Sequence, residues 1–135
     1  MTIKTFLRFF KFSYLYPGHL AKAPSITYTI TIKNMITCYL KYVIDPYKLK
    51  EFEHYAKTWI PLVNKFGGVH HGYFLPDEGP NNIAIALFSF DSLADYEKYR
   101  TDSKSDKDCL EAFQYANDTR CIISYERSFM RPVFN

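Results

Sequence analysis

Glycine is scarce in this chain, five in 135 residues, and none sits in a phosphate-binding loop. A nicotinamide or ATP enzyme that cradles phosphate on glycine-rich backbone is therefore not expected. No serine nucleophile elbow is present and no cysteine neighbours a histidine in sequence, so the familiar signatures of acyl-transfer catalysis are missing. Cysteine is limited to Cys38, Cys109 and Cys121, an odd count without CxxC spacing. Neither a zinc site nor a disulfide framework follows, and reduced thiols in a cytoplasmic protein are the plain reading. Long apolar runs are also lacking. The longest uncharged run in the first 34 residues is Phe12–Ala21, ten residues, where a membrane span needs about twenty. Acidic side chains are absent from residues 1–34, which carry Lys4, Arg8, Lys11, Lys22 and Lys33. The formal charge of +3 thus hides a basic leading segment of +5 and a remainder with 12 basic and 14 acidic side chains. A nucleic-acid binder should be basic on its folded surface, so that class is not expected.

Aromatics are abundant: 12 Tyr, 12 Phe and one Trp make 19% of the residues, within a composition that is 47% hydrophobic and 23% charged. That is globular material of single-domain size with a large aromatic surface to bury. Three readings compete for residues 1–34: a secretory signal, an organellar presequence, or a segment outside the native domain. Arg8 and Lys11 break any signal-like apolar core. The orderly pattern begins right after Met35, so we expect the domain to cover 35–135, with Met35 as its start and 1–34 a poorly packed extension.

From Met35 the pattern predicts a strand over 36–44, ITCYLKYVI, with apolar side chains on both faces. Asp45-Pro46 marks a helix start. That helix runs to about Phe66 on a stripe of Leu49, Phe52, Ala56, Trp59, Val63 and Phe66, with a kink expected at Pro61 and an end at Gly67-Gly68. Strands are predicted over 69–75 and 83–90, with the turn-rich PDEGPNN between them. A short helix follows a cap at Asp91 or Ser92, with Leu93 and Tyr96 inward. A helix over 108–117 packs through Leu110, Phe113 and Ala116, and a last strand covers 122–130. The order βαββα(α)β is the α+β, ferredoxin-like arrangement, a four-stranded antiparallel sheet with helices on one face. The other face carries too many Tyr, Phe, Ile and Leu to stay wet. A homodimer closing two sheets into an α/β barrel is the economical cover.

Words in fixed order carry a resemblance. They are Tyr42-Val43-Ile44-Asp45-Pro46, Gly72-Tyr73-Phe74-Leu75-Pro76, Glu78-Gly79, Phe90-Asp91-Ser92-Leu93-Ala94, and Tyr125-Glu126-Arg127-Ser128-Phe129 with Arg131-Pro132. With them, residues 35–133 resemble the NIPSNAP family within the dimeric α/β barrel superfamily, most of all its short bacterial single-domain members. The resemblance implies the fold and a homodimer but no reaction. Many eukaryotic members show an Arg in the second helix where this chain has Tyr96, so their roles are not carried over.

His70 and His71 are the most suggestive pair. Strand neighbours point to opposite faces, so one should meet the helices and the other the barrel lumen. Strict alternation puts His71 with Tyr73 and Leu75, an acid/base group beside a hydrogen-bond donor. Glu126, between Ser124 and Ser128, is a second candidate for the lumen. His71, Tyr73 and Glu126 are thus the candidate catalytic residues. His70, Tyr42, Tyr96 and Arg100 are candidate ligand contacts, Arg100 for an anion. Ordinary packing or surface pairing is the competing reading for the histidines, Tyr73, Glu126 and Arg100. No metal and no cofactor is expected. Three functions stay open: a homodimeric domain binding a small aromatic ligand, a cofactor-independent oxygenase or isomerase of phenolic or quinone-like substrates, and a protein-interaction adaptor.

Overall fold

A computed structural model describes residues 34–133. The expectations for residues 1–33, an extension preceding a start at Met35, lie outside the described residues. Strand β1 (Ile36–Ile44) leads through one 3₁₀ turn into helix α1 (Leu49–Lys65). Then follow β2 (Val69–Phe74), β3 (Ile83–Phe90), α2 (Leu93–Asp102), α3 (Lys107–Thr119) and β4 (Ile122–Met130). The strands form one sheet in the order β2-β3-β1-β4, each neighbouring pair antiparallel. This is the α+β ferredoxin-like fold.

Local chemistry explains the boundaries. The Asp45 carboxylate accepts the Tyr47 backbone N–H at 3.0 Å, and Pro46 opens the turn that starts α1. Pro61 lies inside α1 without ending it; Gly67, at φ +84°, ends it in a conformation that favours glycine. Ser92 caps α2 by accepting the Asp95 N–H at 3.1 Å. Asp106 caps α3 through the Cys109 N–H at 3.1 Å and also pairs with Lys65 at 2.5 Å, tying the end of α1 to the start of α3.

One sheet face meets the helices. Its buried side chains include Cys38, Leu40, Tyr42 and Ile44 on β1 and Ala84, Ala86, Phe88 and Phe90 on β3, against Phe52, Tyr55, Trp59, Leu62 and Val63 of α1. Helix α2 packs through Tyr96 and Tyr99, and its Leu93 is exposed. Helix α3 buries Cys109 and Ala112, whereas Leu110 is exposed, because one residue turns a helix by about 100°. All three cysteines are buried and free. Among the described residues no helix is long and apolar enough to cross a membrane.

Strand β2 breaks the alternation. Its register with β3 slips between His70 and Gly72, so that His70 pairs with Phe88, Gly72 with Leu87 and Tyr73 with Ala86. Gly72 has φ +115°, which a side chain would strain. The bulge places His70 and Tyr73 together on the helix side and leaves His71 on the open face. The expected sharing of a face by His71 and Tyr73 is therefore corrected: one extra residue in the strand inverts the parity that the expectation relied on.

Candidate functional site

A cavity of about 510 Å³ lies between the helix layer and the sheet. Its floor is Leu40 and Tyr42 of β1 with Tyr73 and Phe88. Helix α1 lines it with Tyr55, Trp59 and Val63, spaced four residues apart and so on one helix face. Helix α2 adds Tyr96, Tyr99 and Arg100, again spaced by three and four. From α3 come Phe113, Ala116 and Asn117, and β4 closes the side with Ile122, Tyr125 and Arg127. The β4 side chains there alternate, since Tyr125 pairs with Tyr42 and Arg127 with Leu40 in the register of β1 and β4. Strand β4 is less covered than β1 and β3, with Tyr125 and Phe129 exposed.

The wall is aromatic, and its polar groups are tyrosine hydroxyls, the two arginines, Asn117 and Ser124. Trp59 lies 4.9 Å from Phe113, and Tyr96 meets Phe129 edge-on at 4.8 Å, measured between ring centroids. The Tyr42 hydroxyl is coupled electrostatically to those of Tyr55 and Tyr73. Burial holds Tyr42, Tyr55 and Tyr73 well above the ordinary phenol range, so they remain neutral donors at neutral pH. Burial likewise pushes the Cys38 thiol up to about 11, with nearby Arg127 acting in the opposite direction. Trp59 is 4% exposed, yet its indole Nε1 has no hydrogen-bond partner; the same holds for Nε of Arg127 and Nε2 of His70. Buried donors are almost always paired, and these three are exceptions with almost no accessible surface.

The fold brings four of the seven sequence candidates to this cavity: Tyr73, Tyr42, Tyr96 and Arg100. His70 stands just behind it, stacked on Tyr73 at 4.9 Å and packed near Phe88. His71 and Glu126 are on the other face of the sheet. His71 Nε2 bonds the Ser89 hydroxyl at 2.7 Å, which in turn bonds Thr37 Oγ1 at 2.7 Å. Glu126 is exposed beside Lys41 in the strand register. The grouping is thus corrected at Tyr73, which the bulge turns to the helix side, whereas His71 and Glu126 share the open face expected for the lumen. Sequence reasoning also missed Trp59 as more than core, and Arg127 altogether. The signal for Arg127 was present: it alternates with Glu126, so a strand that turns one outward turns the other in. Among the described residues no group of three or more His, Cys, Asp or Glu could hold a metal ion.

His70 has a measurable consequence. Its Nδ1 accepts the Gly72 N–H at 2.9 Å. Burial, with His71 as the lesser cause, lowers its pKa to about 4. An unfolded chain takes up that proton near pH 6.5. Between pH 6.5 and about 4 the unfolded state therefore binds more protons, and stability falls as pH falls. Thermal unfolding should show the midpoint of the wild-type chain dropping more than that of His70→Phe between about pH 7 and about pH 4.5. Parallel curves would contradict a neutral, buried His70.

Comparison with known proteins places this geometry. The profile of the NIPSNAP family matches residues 39–134. No curated protein matches the chain. Among solved structures, a NIPSNAP family protein of unknown function from Agrobacterium tumefaciens superposes with a TM-score of 0.65 at 21% identity, covering 76% of this chain and 91% of that one. An uncharacterized NIPSNAP-like domain protein from Burkholderia xenovorans gives 0.63 at 21% identity, covering 75% and 87%. A protein described as "Putative antibiotic biosynthesis monooxygenase" from Nitrosomonas europaea gives 0.58 at 8% identity, covering 78% and 97%. At these identities the likeness is one of fold.

Proposed function

Because the chain belongs to the NIPSNAP family and carries a cavity within its own fold, we propose that it is a small-ligand-binding domain whose cavity takes a flat aromatic molecule of phenolic or quinone-like shape, and that two copies pair through their open sheet faces. One observation carries the first part. The 510 Å³ space has an aromatic wall interrupted by a few polar groups, among them the tyrosine hydroxyls and the Arg100 and Arg127 guanidiniums. That combination is the usual character of a site for a small organic ligand. The pairing is supported by the open face. Tyr39, Val43, Ile83, Ile85 and Leu87 form its middle, flanked by exposed Val69, Phe74 and Met130. A single copy would leave this apolar surface in water.

The enzymatic reading, an oxygenase or isomerase without a cofactor, is supported by the coupled Tyr55, Tyr42 and Tyr73 hydroxyls, which could hold or pass a proton at a phenolic oxygen. In that case the reacting groups are those in the cavity, and His71→Ala leaves turnover unchanged.

Calorimetric titration of the full chain with 2-naphthol tests the binding reading. One saturable site per chain is expected, lost in Ala116→Phe, which fills the space from α3. Binding that survives Ala116→Phe, or no binding to the parent chain, contradicts it.

A further inference from the structure

The charges around the cavity are unbalanced. Arg100 and Arg127 both line it, and no Asp or Glu does. Among the described residues neither arginine forms an ion pair with a carboxylate. Both guanidinium groups act electrostatically on Cys38, Tyr96 and Tyr99, so their fields overlap in one region. The groups there that could have supplied a negative charge are kept neutral by burial: the Cys38 thiol and the tyrosine hydroxyls. Arg127 is partly buried, lies over the Tyr125 ring at 5.4 Å and has an unpartnered Nε. Partly desolvated cations in a space free of acids are complementary to an anion.

We propose that the ligand is an organic anion: a flat aromatic body against Trp59, Tyr96 and Phe113, with one carboxylate or ionised hydroxyl held by Arg127 and Arg100. This rests on the cavity reading above and narrows it to a charge class. A free phosphate or a nucleotide fits poorly, because most of the lining is aromatic or aliphatic and would strip water from a multiply charged group without replacing it. The arrangement also divides the labour. Aromatic faces take the body of the ligand, whereas the arginine end decides between an acid and its neutral counterpart.

The chain has a single tryptophan, so its one indole N–H resonance in a ¹⁵N–¹H spectrum of the full chain reports directly on the site. The probes are 2-naphthoate and 2-naphthamide, alike in shape and different in charge. The indole resonance should move saturably with 2-naphthoate, with a Kd about tenfold or more below that of the amide. Arg127→Gln should remove that preference, and Arg127→Lys should restore part of it. Arg100→Gln should weaken the acid more than the amide. Equal affinities for acid and amide would overturn the anion assignment and leave the cavity reading standing. An undiminished preference in both arginine variants would overturn it too. An indole resonance that responds to neither compound would overturn both.

Discussion

Leu87→Asp is expected to halve the mass of the particle in solution, from twice the 15.9 kDa chain to a single chain. Leu87 occupies the middle of β3, opposite Tyr39 of β1 and Gly72 of β2. Its neighbours Ala86 and Phe88 are buried against the helices, so Leu87 points to the open face and contributes little to the chain's own core. In the proposed pair the two sheets meet face to face about a twofold axis, and a central residue lies near its own copy. An aspartate there removes apolar burial from both partners and sets two carboxylates in a dry interface. Each buried, unpaired charge costs several kcal/mol. Light scattering coupled to size exclusion measures the mass directly. The same mass for both proteins would contradict a dimer through this face. Circular dichroism should show the variant still folded, because the helix-facing core is untouched.

The second large effect is inside the subunit. Phe52 is fully buried, with ring centroids 5.2 Å from Tyr42, 6.0 Å from Tyr55 and 6.0 Å from Tyr73. It forms the packing behind the three coupled tyrosines. Phe52→Ala deletes the ring and leaves a void that a rigid sheet cannot collapse. The expected loss is about 3–5 kcal/mol, which lowers the thermal midpoint by on the order of 15 °C or more in a domain of this size. Urea unfolding followed by circular dichroism measures it. A loss below about 1 kcal/mol would show that the tyrosine cluster is supported from elsewhere. Binding should weaken as well, since Tyr42 and Tyr73 lose the surface that fixes their rings.

The two effects separate the faces of one sheet, and the sequence foreshadows them unequally. Periodicity and capping are local, so the strands, the helix starting after Asp45-Pro46 and the capping of α2 at Ser92 are legible from residue order alone. Face assignment on β1 and β3 is equally legible, because nothing interrupts their alternation. On β2 it fails at Gly72. A glycine at positive φ inserts one residue into the ladder, and glycine in a strand does not announce whether it bulges. That single insertion moves Tyr73 beside His70 and leaves His71 bonded to Ser89 on the other face. Arg100 and Tyr96 are found from the sequence because helix spacing joins them, whereas Arg127 was masked by attention to Glu126 one residue before. Trp59 was legible as a buried ring, but whether its N–H finds an acceptor depends on groups from other elements. The cavity draws its lining from β1, β2, β3, β4 and all three helices, Ala116 and Asn117 of α3 among them, and only the assembled packing reveals that.

A site within the subunit, rather than at the meeting of two sheets, is tested most directly by a crystal structure of the full chain grown with 2-naphthol. The expected result is density for the naphthol ring beside Trp59, Tyr96 and Phe113, with its hydroxyl toward the tyrosines or Arg127. An empty cavity with naphthol bound instead on the open face, near His71 and Leu87, would contradict the assignment.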